Sequence, residues 1–439
     1  MVSFERMRAD ALAAFEAAVD AVRPENLVPA QISRSGEKVL VCGEPLPEAS
    51  GRHVVMSIGK AAPGLTATWL TAVPGWADEI LVLTPHGVPV PAEVEARATI
   101  LRGAHPYPDR DGEASTRRLL EIAEGLGEDD VLVVLLSGGG SALMAAAETG
   151  LELDDVHATT KALLKAGAAI NDVNTVRRQL LAAAGGGLAR AAHPAPVRTL
   201  IISDVLGDPL ADIASGPTVP SNTTAGDALA VLDRFGLREA VPGAVTTYLH
   251  SAARRVPDNS AWTAITSTNV IGNNRTAVEA AAAELVARGY DVEVAADHLE
   301  GEASKRGREL AAQSRDLESS LPSAIVLGGE TTVTVNGSGR GGRNQELALA
   351  AAIELAGRSP VVVLAAGTDG IDGLSDNAGA VVDPTTAGRL REAGIDPPAA
   401  LADNDSGSAL ETIGDNIRIG PTGTNVCDVT LVLTAPTNQ

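Results

Sequence analysis

Short runs of aliphatic residues alternate with longer runs rich in Ala, Leu and Glu along most of the chain. The first short run, His53–Ile58, is followed by Gly59 and by the helix-like stretch Ala61–Leu70. A strand, a helix and a second strand form the repeating unit of a parallel sheet, so this rhythm predicts an α/β fold. The pattern predicts three further strands in the first half, at Glu79–Thr84, Val131–Leu136 and Arg198–Ser203. Four such strands predict a doubly wound, Rossmann-like domain over residues 1–255.

A second series of elements follows the polar segment Val256–Ser260. It predicts a smaller α/β domain with a mixed sheet over residues 256–439. Its predicted strands and helices are Thr263–Ser267, Thr276–Arg288, Asp291–Ala295, Ala324–Leu327, Thr331–Val335, Asn344–Ala356 and Val361–Ala366. The segment Gly328–Gly337 reads as a turn and hairpin because it holds glycines at both ends and β-branched residues between them.

Composition supports this fold class and adds a charge argument. Hydrophobic residues make up 45% of the 439 residues but aromatic residues only 2%, which favours helices packed on sheets over an aromatic-rich sandwich. The 34 Lys and Arg against 56 Asp and Glu give a formal charge of −22, which makes nucleic acid a poor partner, and we expect none. Acid excess with only five lysines predicts a halophilic protein whose self-repulsion is screened by salt.

The remaining composition excludes other classes. Cys42 and Cys427 lie far apart and the seven histidines are scattered, so neither a disulfide framework nor a zinc site is indicated. The segment Met1–Asp20 alternates charges among alanines, which is typical of an amphipathic helix and not of a signal peptide. The longest uncharged apolar stretch, Val131–Ala147, is broken by three glycines and is short for a membrane span. We expect a soluble, cytoplasmic protein with no membrane partner.

A glycine-rich turn follows one of the predicted strands. Ser137, Gly138, Gly139, Gly140 and Ser141 come directly after Leu136 and precede a predicted helix. Exposed backbone N–H groups at such a place bind phosphate, helped by the helix dipole. The same glycines are equally expected if the turn serves only tight packing between strand and helix.

Two cations stand at predicted helix starts, where the helix dipole disfavours positive charge. Lys60 follows the first strand, and Arg343 precedes the helix Asn344–Ala356. Such a pair suggests a shared anionic ligand, although a solvated surface lysine also explains Lys60. Gly337, Gly339 and Gly342 formally match G-x-G-x-x-G, but they follow the predicted hairpin, so the match is weak evidence for a dinucleotide.

Carboxylates follow two further strands. Asp204 and Asp208 come after Arg198–Ser203, and Asp369 comes after Val361–Ala366. Aspartates at strand ends can hold Mg²⁺ or accept a proton, whereas many aspartates of an acidic protein are merely solvated.

Six motifs in order resemble the type-2 glycerate kinases, whose C-terminal region is of the MOFRL type. They are Ser57–Ala62, Leu136–Leu143, Ile202–Asp208 with Ala214–Thr218, Gly341–Glu346, Gly367–Gly373 and Gly420–Val426. The resemblance spans nearly the whole chain. It implies ATP-dependent phosphorylation of D-glycerate at the 2-hydroxyl, Mg²⁺ as cofactor, and an active site in the cleft between two α/β domains.

The resemblance also implies roles for particular residues. Lys60 and Arg343 would bind the glycerate carboxylate or the transferring phosphate, and Asp369 would orient or deprotonate the acceptor hydroxyl. The turn from Ser137 to Ser141, together with Asn344, would contact phosphate, and Asp204 or Asp208 would bind Mg²⁺. Cys427 stands where the family often has Asn and receives no role.

Two other functions stay open at this stage. Some members of the family carry the name hydroxypyruvate reductase, which implies an NAD(P)H-dependent enzyme. The weak G-x-G-x-x-G match and the lack of a well-placed histidine argue against that function. A non-catalytic module that binds sugar acids or phosphates is the second alternative. The sequence does not fix the oligomeric state, and a homodimer is compatible with it.

Overall fold

The computed structural model describes residues 3–35, 38–46, 50–254, 259–314, 321–357 and 360–436. The chain divides into two compact units. The central unit is Leu27–Ile271, and the terminal unit joins the described parts of Met1–Asn26 and Gly272–Gln439. The boundary predicted at residue 255 lies outside the described residues, and the domain ranges 1–255 and 256–439 stay predictions.

Helices and strands alternate over most of the described chain. The helices are α1 (Phe4–Ala21), α2 (Pro24–Gln31), α3 (Ala62–Ala72), α4 (Ala92–Glu95), α5 (Arg110–Glu124), α6 (Gly140–Leu143), α7 (Leu153–Lys165), α8 (Ile170–Leu180), α9 (Gly187–Ala192), α10 (Ala225–Arg234), α11 (Gly243–Ala252), α12 (Ser260–Thr263), α13 (Asn274–Ala287), α14 (Ala303–Gln313), α15 (Arg343–Leu355), α16 (Thr386–Glu392), α17 (Pro397–Ala402) and α18 (Ser406–Thr412). The strands are β1 (Ile32–Ser35), β2 (Lys38–Val41), β3 (Glu44–Pro45), β4 (His53–Ile58), β5 (Glu79–Pro85), β6 (Thr99–Gly103), β7 (Val131–Leu136), β8 (Val197–Ile202), β9 (Thr266–Gly272), β10 (Asp291–Val294), β11 (Leu299–Glu302), β12 (Ser323–Thr332), β13 (Val361–Gly367), β14 (Gly379–Val382), β15 (Asn416–Ile417) and β16 (Asp428–Thr434). No described helix is both long enough and apolar enough to cross a membrane.

The central unit is built on a six-stranded sheet in the order β6-β5-β4-β7-β8-β9. The pairs from β6 through β8 are parallel. Counted within the sheet, the order is 3-2-1-4-5-6, which is that of a doubly wound α/β domain. All six residues of β7 are buried, as expected for a parallel strand covered on both faces. Strands β1 to β3 form a small separate antiparallel sheet.

The terminal unit contains a mixed sheet in the order β10-β12-β16-β13-β14-β15, with β11 also pairing with β12. β10 and β11 run parallel to β12, whereas β16 is antiparallel to both β12 and β13. The prediction of an α/β protein with a second, mixed sheet is therefore confirmed. A core of alanines, valines and leucines from α14, α15 and the sheet fills this unit.

The first helix belongs to the terminal unit and is tied to it by charged groups. Asp10 is buried and accepts hydrogen bonds from Arg288 Nη1 at 2.8 Å and from the Tyr290 hydroxyl at 3.1 Å. Arg8 forms ion pairs with Asp383 and Asp415. Helix α1 thus packs in the terminal unit, although that unit is otherwise built from the last part of the chain. Hydrophobic periodicity does not indicate with which unit a helix packs.

Two local predictions are wrong. Residues 323–332 form one continuous strand, so the hairpin predicted over Gly328–Gly337 does not exist. Gly328 and Gly329 lie within this strand and do not form a turn. Glycine is needed at both positions because a Cβ on Gly328 would strike Asn274 and one on Gly329 would strike Leu299. The strand predicted at Thr263–Ser267 starts later, at Thr266, because Ser260–Thr263 forms a helical turn.

Candidate active site

The strand order of the central sheet reverses between β4 and β7, and ligands bind outside the carboxyl ends of strands at such a switch point. Gly59 and Lys60 follow β4, and the residues Ser137–Ser141, which we name the glycine cradle, follow β7. Backbone hydrogen bonds join the two turns, since Lys60 N–H donates to Gly138 O at 2.9 Å and Ser137 N–H to Ile58 O at 2.9 Å. Ser137 Oγ also accepts from Ala61 N–H at 3.1 Å. The structure therefore brings Lys60 and the cradle together.

The cradle glycines are needed for packing as well as for any ligand. A Cβ on Gly138 would strike the carboxylate of Asp204, and one on Gly140 would strike Ala214 Cβ. Gly139 has φ = 88°, a left-handed conformation that favours glycine. The helix that follows, α6, has only four residues, so the dipole contribution expected from a full helix is small here.

Asp204 joins the cradle because of its position after β8. Its carboxylate lies against Gly138, as the close approach to that glycine shows. Asp208 lies farther along the same loop at φ = 52°, in a turn closed by its N–H to Val205 O at 3.1 Å.

His105 lies beside the glycine cradle and was not predicted from the sequence as a site residue. Its ring lies over Gly139, with Cδ2 at 3.1 Å from the point that a Cβ of Gly139 would occupy, and Lys60 Cγ lies 3.4 Å from the same point. Burial and the charge of Lys60 lower the pKa of His105, which keeps it neutral near pH 7. A histidine thus lies beside the cradle, whereas no well-placed histidine was expected from the sequence. The signal was available, because His105 follows parallel strand β6 by two residues.

Strained backbone from the motif Ala214–Thr218 closes one side of the cradle. Ala214, Ser215 and Gly216 have φ values of 49°, 63° and 61°, all left-handed. The Ser215 hydroxyl lies 2.9 Å from that of Ser141. Two consecutive non-glycine residues in this region are energetically costly, and such strain persists where surrounding contacts hold it, often at functional sites.

In the terminal unit, Arg343 stands at the start of α15, as predicted, and its charge is balanced by the chain itself. Nε and Nη2 donate to the two carboxylate oxygens of Asp428 at 2.5 and 2.8 Å. Nη1 lies 2.9 Å from Glu330 Oε1. These ion pairs raise the pKa of Arg343 above its ordinary value despite burial. The anion that the sequence analysis inferred for Arg343 is thus supplied in part by Asp428 and Glu330.

The N-terminus of α15 is capped by Asp372. Its carboxylate accepts from Asn344 N–H at 3.1 Å, Asn344 Nδ2 at 3.2 Å and Gln345 N–H at 2.8 Å. Asp372 is only 1% exposed, and this burial raises its pKa to about 7, although the backbone N–H groups act in the opposite direction. The backbone N–H of Asn344 and one N–H of its side-chain amide are consequently engaged by a protein carboxylate.

Asp369 lies at the same sheet edge as Asp428. Gly367 ends β13 and pairs with Asp428 on β16. A Cβ on Gly367 would lie 3.2 Å from Asp369 Oδ1 and 3.3 Å from Asp428 Oδ1, so both carboxylates flank this glycine. Asp369 Oδ1 also accepts from Ile371 N–H at 3.1 Å. The terminal unit therefore brings together Arg343, Asp369, Asp372, Asp428 and Glu330, of which Arg343 and Asp369 were predicted from the sequence as site residues.

The glycine-rich loop before α15 is occupied by protein. Gly337, Gly339 and Gly342 face Asp403, Asp405 and Asp372, each too closely for a Cβ. Asp403, Asn404 and Asp405 accept hydrogen bonds from backbone N–H groups of residues 336–340. Gly337 and Gly339 therefore serve packing against the segment 403–405 and Gly342 serves packing against Asp372, while the hydrogen-bonded N–H groups within residues 336–340 are not open to a pyrophosphate.

Comparison with known proteins identifies the family. A family profile described as domain of unknown function DUF4147 matches residues 10–250, and one described as the MOFRL family matches residues 323–428. The D-glycerate 2-kinase of Thermotoga maritima is 39% identical over 341 residues, covering 76% of this chain and 79% of the relative. The glycerate 2-kinase of Pyrococcus horikoshii is 35% identical over 95% of this chain and 94% of its own length. The chain belongs to the type-2 glycerate kinase family.

The fold of this glycerate kinase family member agrees with a solved structure. The crystal structure of glycerate kinase from Thermotoga maritima superposes with a TM-score of 0.85 at 34% sequence identity, covering 98% of this chain and 100% of that one. A relative from Agrobacterium vitis, 40% identical over 92% of both chains, carries hydroxypyruvate reductase as a provisional name. The names within the family thus include both activities weighed from the sequence.

Proposed function

We propose that this protein transfers the γ-phosphate of ATP to the 2-hydroxyl of D-glycerate, producing 2-phosphoglycerate and ADP. The observation that carries the proposal is Lys60 beside the glycine cradle at the switch point of the central sheet. In a chain of this family, whose relatives include named D-glycerate 2-kinases, that arrangement favours binding of nucleotide phosphates.

Phosphoryl transfer depends mainly on positioning and on neutralising the charge of the moving group. In our proposal, Gly138, Gly139, Gly140 and Ser141 hold the nucleotide phosphates through backbone N–H groups and the Ser141 hydroxyl. A phosphate contact of Ser137 stays a prediction, because its N–H donates to Ile58 O. Lys60 supplies a cation at the rim of the same cradle. His105, neutral near pH 7, can donate one hydrogen bond there without adding charge.

The residues of the terminal unit would act on glycerate. Arg343 has five N–H donors. In the described contacts, three of them face Asp428 and Glu330, so two can bind a carboxylate or phosphate. Asp369 would align the acceptor hydroxyl and accept its proton late in transfer. The phosphate contact of Asn344 stays a prediction, because its backbone N–H and one N–H of its side-chain amide bond to Asp372. That both residue sets act in one cleft between the domains is likewise a prediction.

Mg²⁺ belongs to the proposal because it is the usual partner of nucleotide phosphates. It takes one or two protein carboxylates and otherwise phosphate and water oxygens. Asp204 fits this role, since its carboxylate lies against Gly138 of the cradle, and Asp208 follows in the same loop. Bound there, Mg²⁺ would neutralise phosphate charge.

The reductase function is less well supported by the fold. A dinucleotide-binding sheet of this strand order carries an acidic residue for the ribose near the end of its second strand. Here that strand is β5, which ends at Pro85 and is followed by His86. The segment 403–405 fills the other glycine-rich loop.

We also propose that the protein works in the cytoplasm on small anionic substrates, without a nucleic-acid or membrane partner. The charge of −22 repels polyanions such as nucleic acid and phospholipid headgroups. The same charge repels ATP and glycerate, so the proposal includes a salt-rich working environment in which that repulsion is screened.

Two assays on one preparation test the function. The first measures ADP formed from ATP and Mg²⁺ with D-glycerate, and the second measures NADH and NADPH oxidation with hydroxypyruvate. We expect glycerate-dependent ADP formation and no nicotinamide oxidation. The reverse result would establish the reductase, and ligand binding without turnover in either assay would favour the sensing module.

A further inference from the structure

Helix α8 carries two adjacent arginines in different electrostatic surroundings. Arg178 is buried and is balanced by an ion pair of Nη2 with Asp212, while Nη1 donates to Asn222 Oδ1 at 3.0 Å. The two terminal nitrogens of this guanidinium thus have protein partners and its charge is balanced within the protein, although its buried Nε has no hydrogen-bond partner among the described residues. Arg178 is therefore a structural residue.

Arg177 has no such counter-charge. Its Nη2 donates to the backbone oxygen of Ser141, the last residue of the glycine cradle, at 3.2 Å. Among the residues that the structure describes, no carboxylate forms an ion pair with it. Burial alone lowers the pKa of its guanidinium, with no carboxylate raising it. The chain thus holds a partly desolvated cation at the end of the cradle and leaves it unbalanced.

A partly desolvated cation without a counter-charge is unfavourable unless a ligand supplies the missing anion. We propose that Arg177 binds a phosphate group of the ligand held in the glycine cradle. The proposal rests on the proposed function and adds a residue that neither the motifs nor the family resemblance singled out. Arginine suits this place because its planar fork can bond two phosphate oxygens while one N–H stays on Ser141 O.

The phosphate can come from the nucleotide or from the phosphorylated product. Calorimetric titrations at fixed ionic strength distinguish the two sources, using MgATP, adenosine, 2-phosphoglycerate and D-glycerate as separate probes. The variants are Arg177→Met, which keeps side-chain length but not charge, and Arg177→Lys, which keeps charge but not the fork. Arg234→Met is the matched control. It removes one positive charge on α10 together with its exposed ion pair to Asp172, a residue of α8 like Arg177.

We expect Arg177→Met to weaken binding of MgATP or of 2-phosphoglycerate by about 10- to 100-fold, as for a lost hydrogen bond to a charged group. Binding of the corresponding unphosphorylated probe, adenosine or D-glycerate, should stay unchanged, and Arg234→Met should match the wild type. The affinity of Arg177→Lys for the phosphorylated probe should lie between those of the wild type and Arg177→Met. This variant tests the proposal if Arg177→Met does not fold.

Unchanged binding of both phosphorylated probes would overturn the proposal. Equal weakening of phosphorylated and unphosphorylated probes would also overturn it, because Arg177 would then be structural like Arg178. Failure of the proposed function looks different. In that case the wild type itself would not phosphorylate glycerate, whatever the variants bind.

Discussion

Lys60 is the residue on which the nucleotide side of the account depends most. It follows β4 directly, its N–H is fixed to Gly138 O at 2.9 Å, and its side chain passes Gly139. Five lysines in the chain and a position just before a helix make a purely solvating role a poor explanation. The site also contains His105, so Lys60 is one member of a mixed cationic and neutral rim.

We expect Lys60→Met to lower kcat/KM by at least about 30-fold, the equivalent of about 2 kcal/mol for a lost charge contact. Steady-state kinetics with varied ATP and D-glycerate measure the effect. Lys165→Met, which removes an exposed lysine at the end of α7, is the control and should retain full activity. If the Lys60→Met enzyme is as active as this control, Lys60 does not contact the substrates.

Asp428 positions Arg343 in our account, since it bonds the guanidinium through two oxygens. Asp428→Asn should lower kcat/KM for D-glycerate by about 10- to 100-fold, because one charged hydrogen bond and the fixed orientation are lost. Glu411→Gln is the control, because it removes an exposed carboxylate that pairs with Arg340 and Arg418. The decisive comparison is made in an Arg343→Met background, where Asp428→Asn should cost nothing further. Losses that multiply would show that Asp428 acts independently of Arg343.

At the scale of single elements, helix α15 illustrates how a helix start is arranged around charge. Asp372 fills the anion position at its N-terminus, while Arg343 turns away to Asp428. Burial favours the neutral form of Asp372, and the helix N-terminus favours the charged form. With the pKa at about 7, burial dominates.

This balance predicts a pH dependence of stability. The unfolded carboxyl has a pKa of about 3.9, so the folded state binds more protons between that value and about 7, and stability falls as pH rises through this range. Titration of this one carboxyl changes the free energy of unfolding by up to about 1.4 kcal/mol per pH unit. Relative to Asp372→Asn, which cannot ionise, the wild type should therefore be more stable at pH 5 than at pH 8 in urea unfolding. A relative stability that increases with pH would mean that the helix N-terminus dominates.

Strand ends explain how much of the site was predictable from sequence. Lys60, the cradle and Asp204 all follow apolar runs of the central sheet, and in parallel strands such positions meet at one sheet edge. Asp369 follows the apolar run of β13, which belongs to the mixed sheet of the terminal unit. Asp428 escaped this rule because it starts β16, which is antiparallel, so its amino end lies at the edge where β12 and β13 end. Glu330 escaped because β12 continues through two glycines that read as a turn. The attachment of α1 to the terminal unit depends on tertiary contacts such as those of Asp10, which no local pattern encodes.

For the whole molecule, the dominant physical feature is its charge of −22. Self-repulsion opposes the folded state, and the same field repels both anionic substrates. Molar salt shortens the Debye length to about 3 Å and screens both effects.

We therefore expect the unfolding temperature to rise, and the KM for ATP and D-glycerate to fall, between about 0.1 M and 2 M KCl, a range over which the screening length shrinks about fourfold. Differential scanning calorimetry and kinetics on the same samples measure the two effects separately. Equal stability and equal KM at both salt concentrations would contradict the halophilic interpretation.

A chain that phosphorylates the 2-hydroxyl of D-glycerate must release a product whose phosphate is on the 2-oxygen. The protein is incubated with ATP, Mg²⁺ and D-glycerate, and the product is identified by proton-coupled phosphorus NMR. Phosphate on the 2-oxygen couples to the single C2 proton and gives a doublet, whereas phosphate on the 3-oxygen couples to two C3 protons. We predict the doublet of 2-phosphoglycerate appearing with ADP in equal amounts. The 3-phosphate pattern, or consumption of ATP without any phosphorylated glycerate, would contradict the claim.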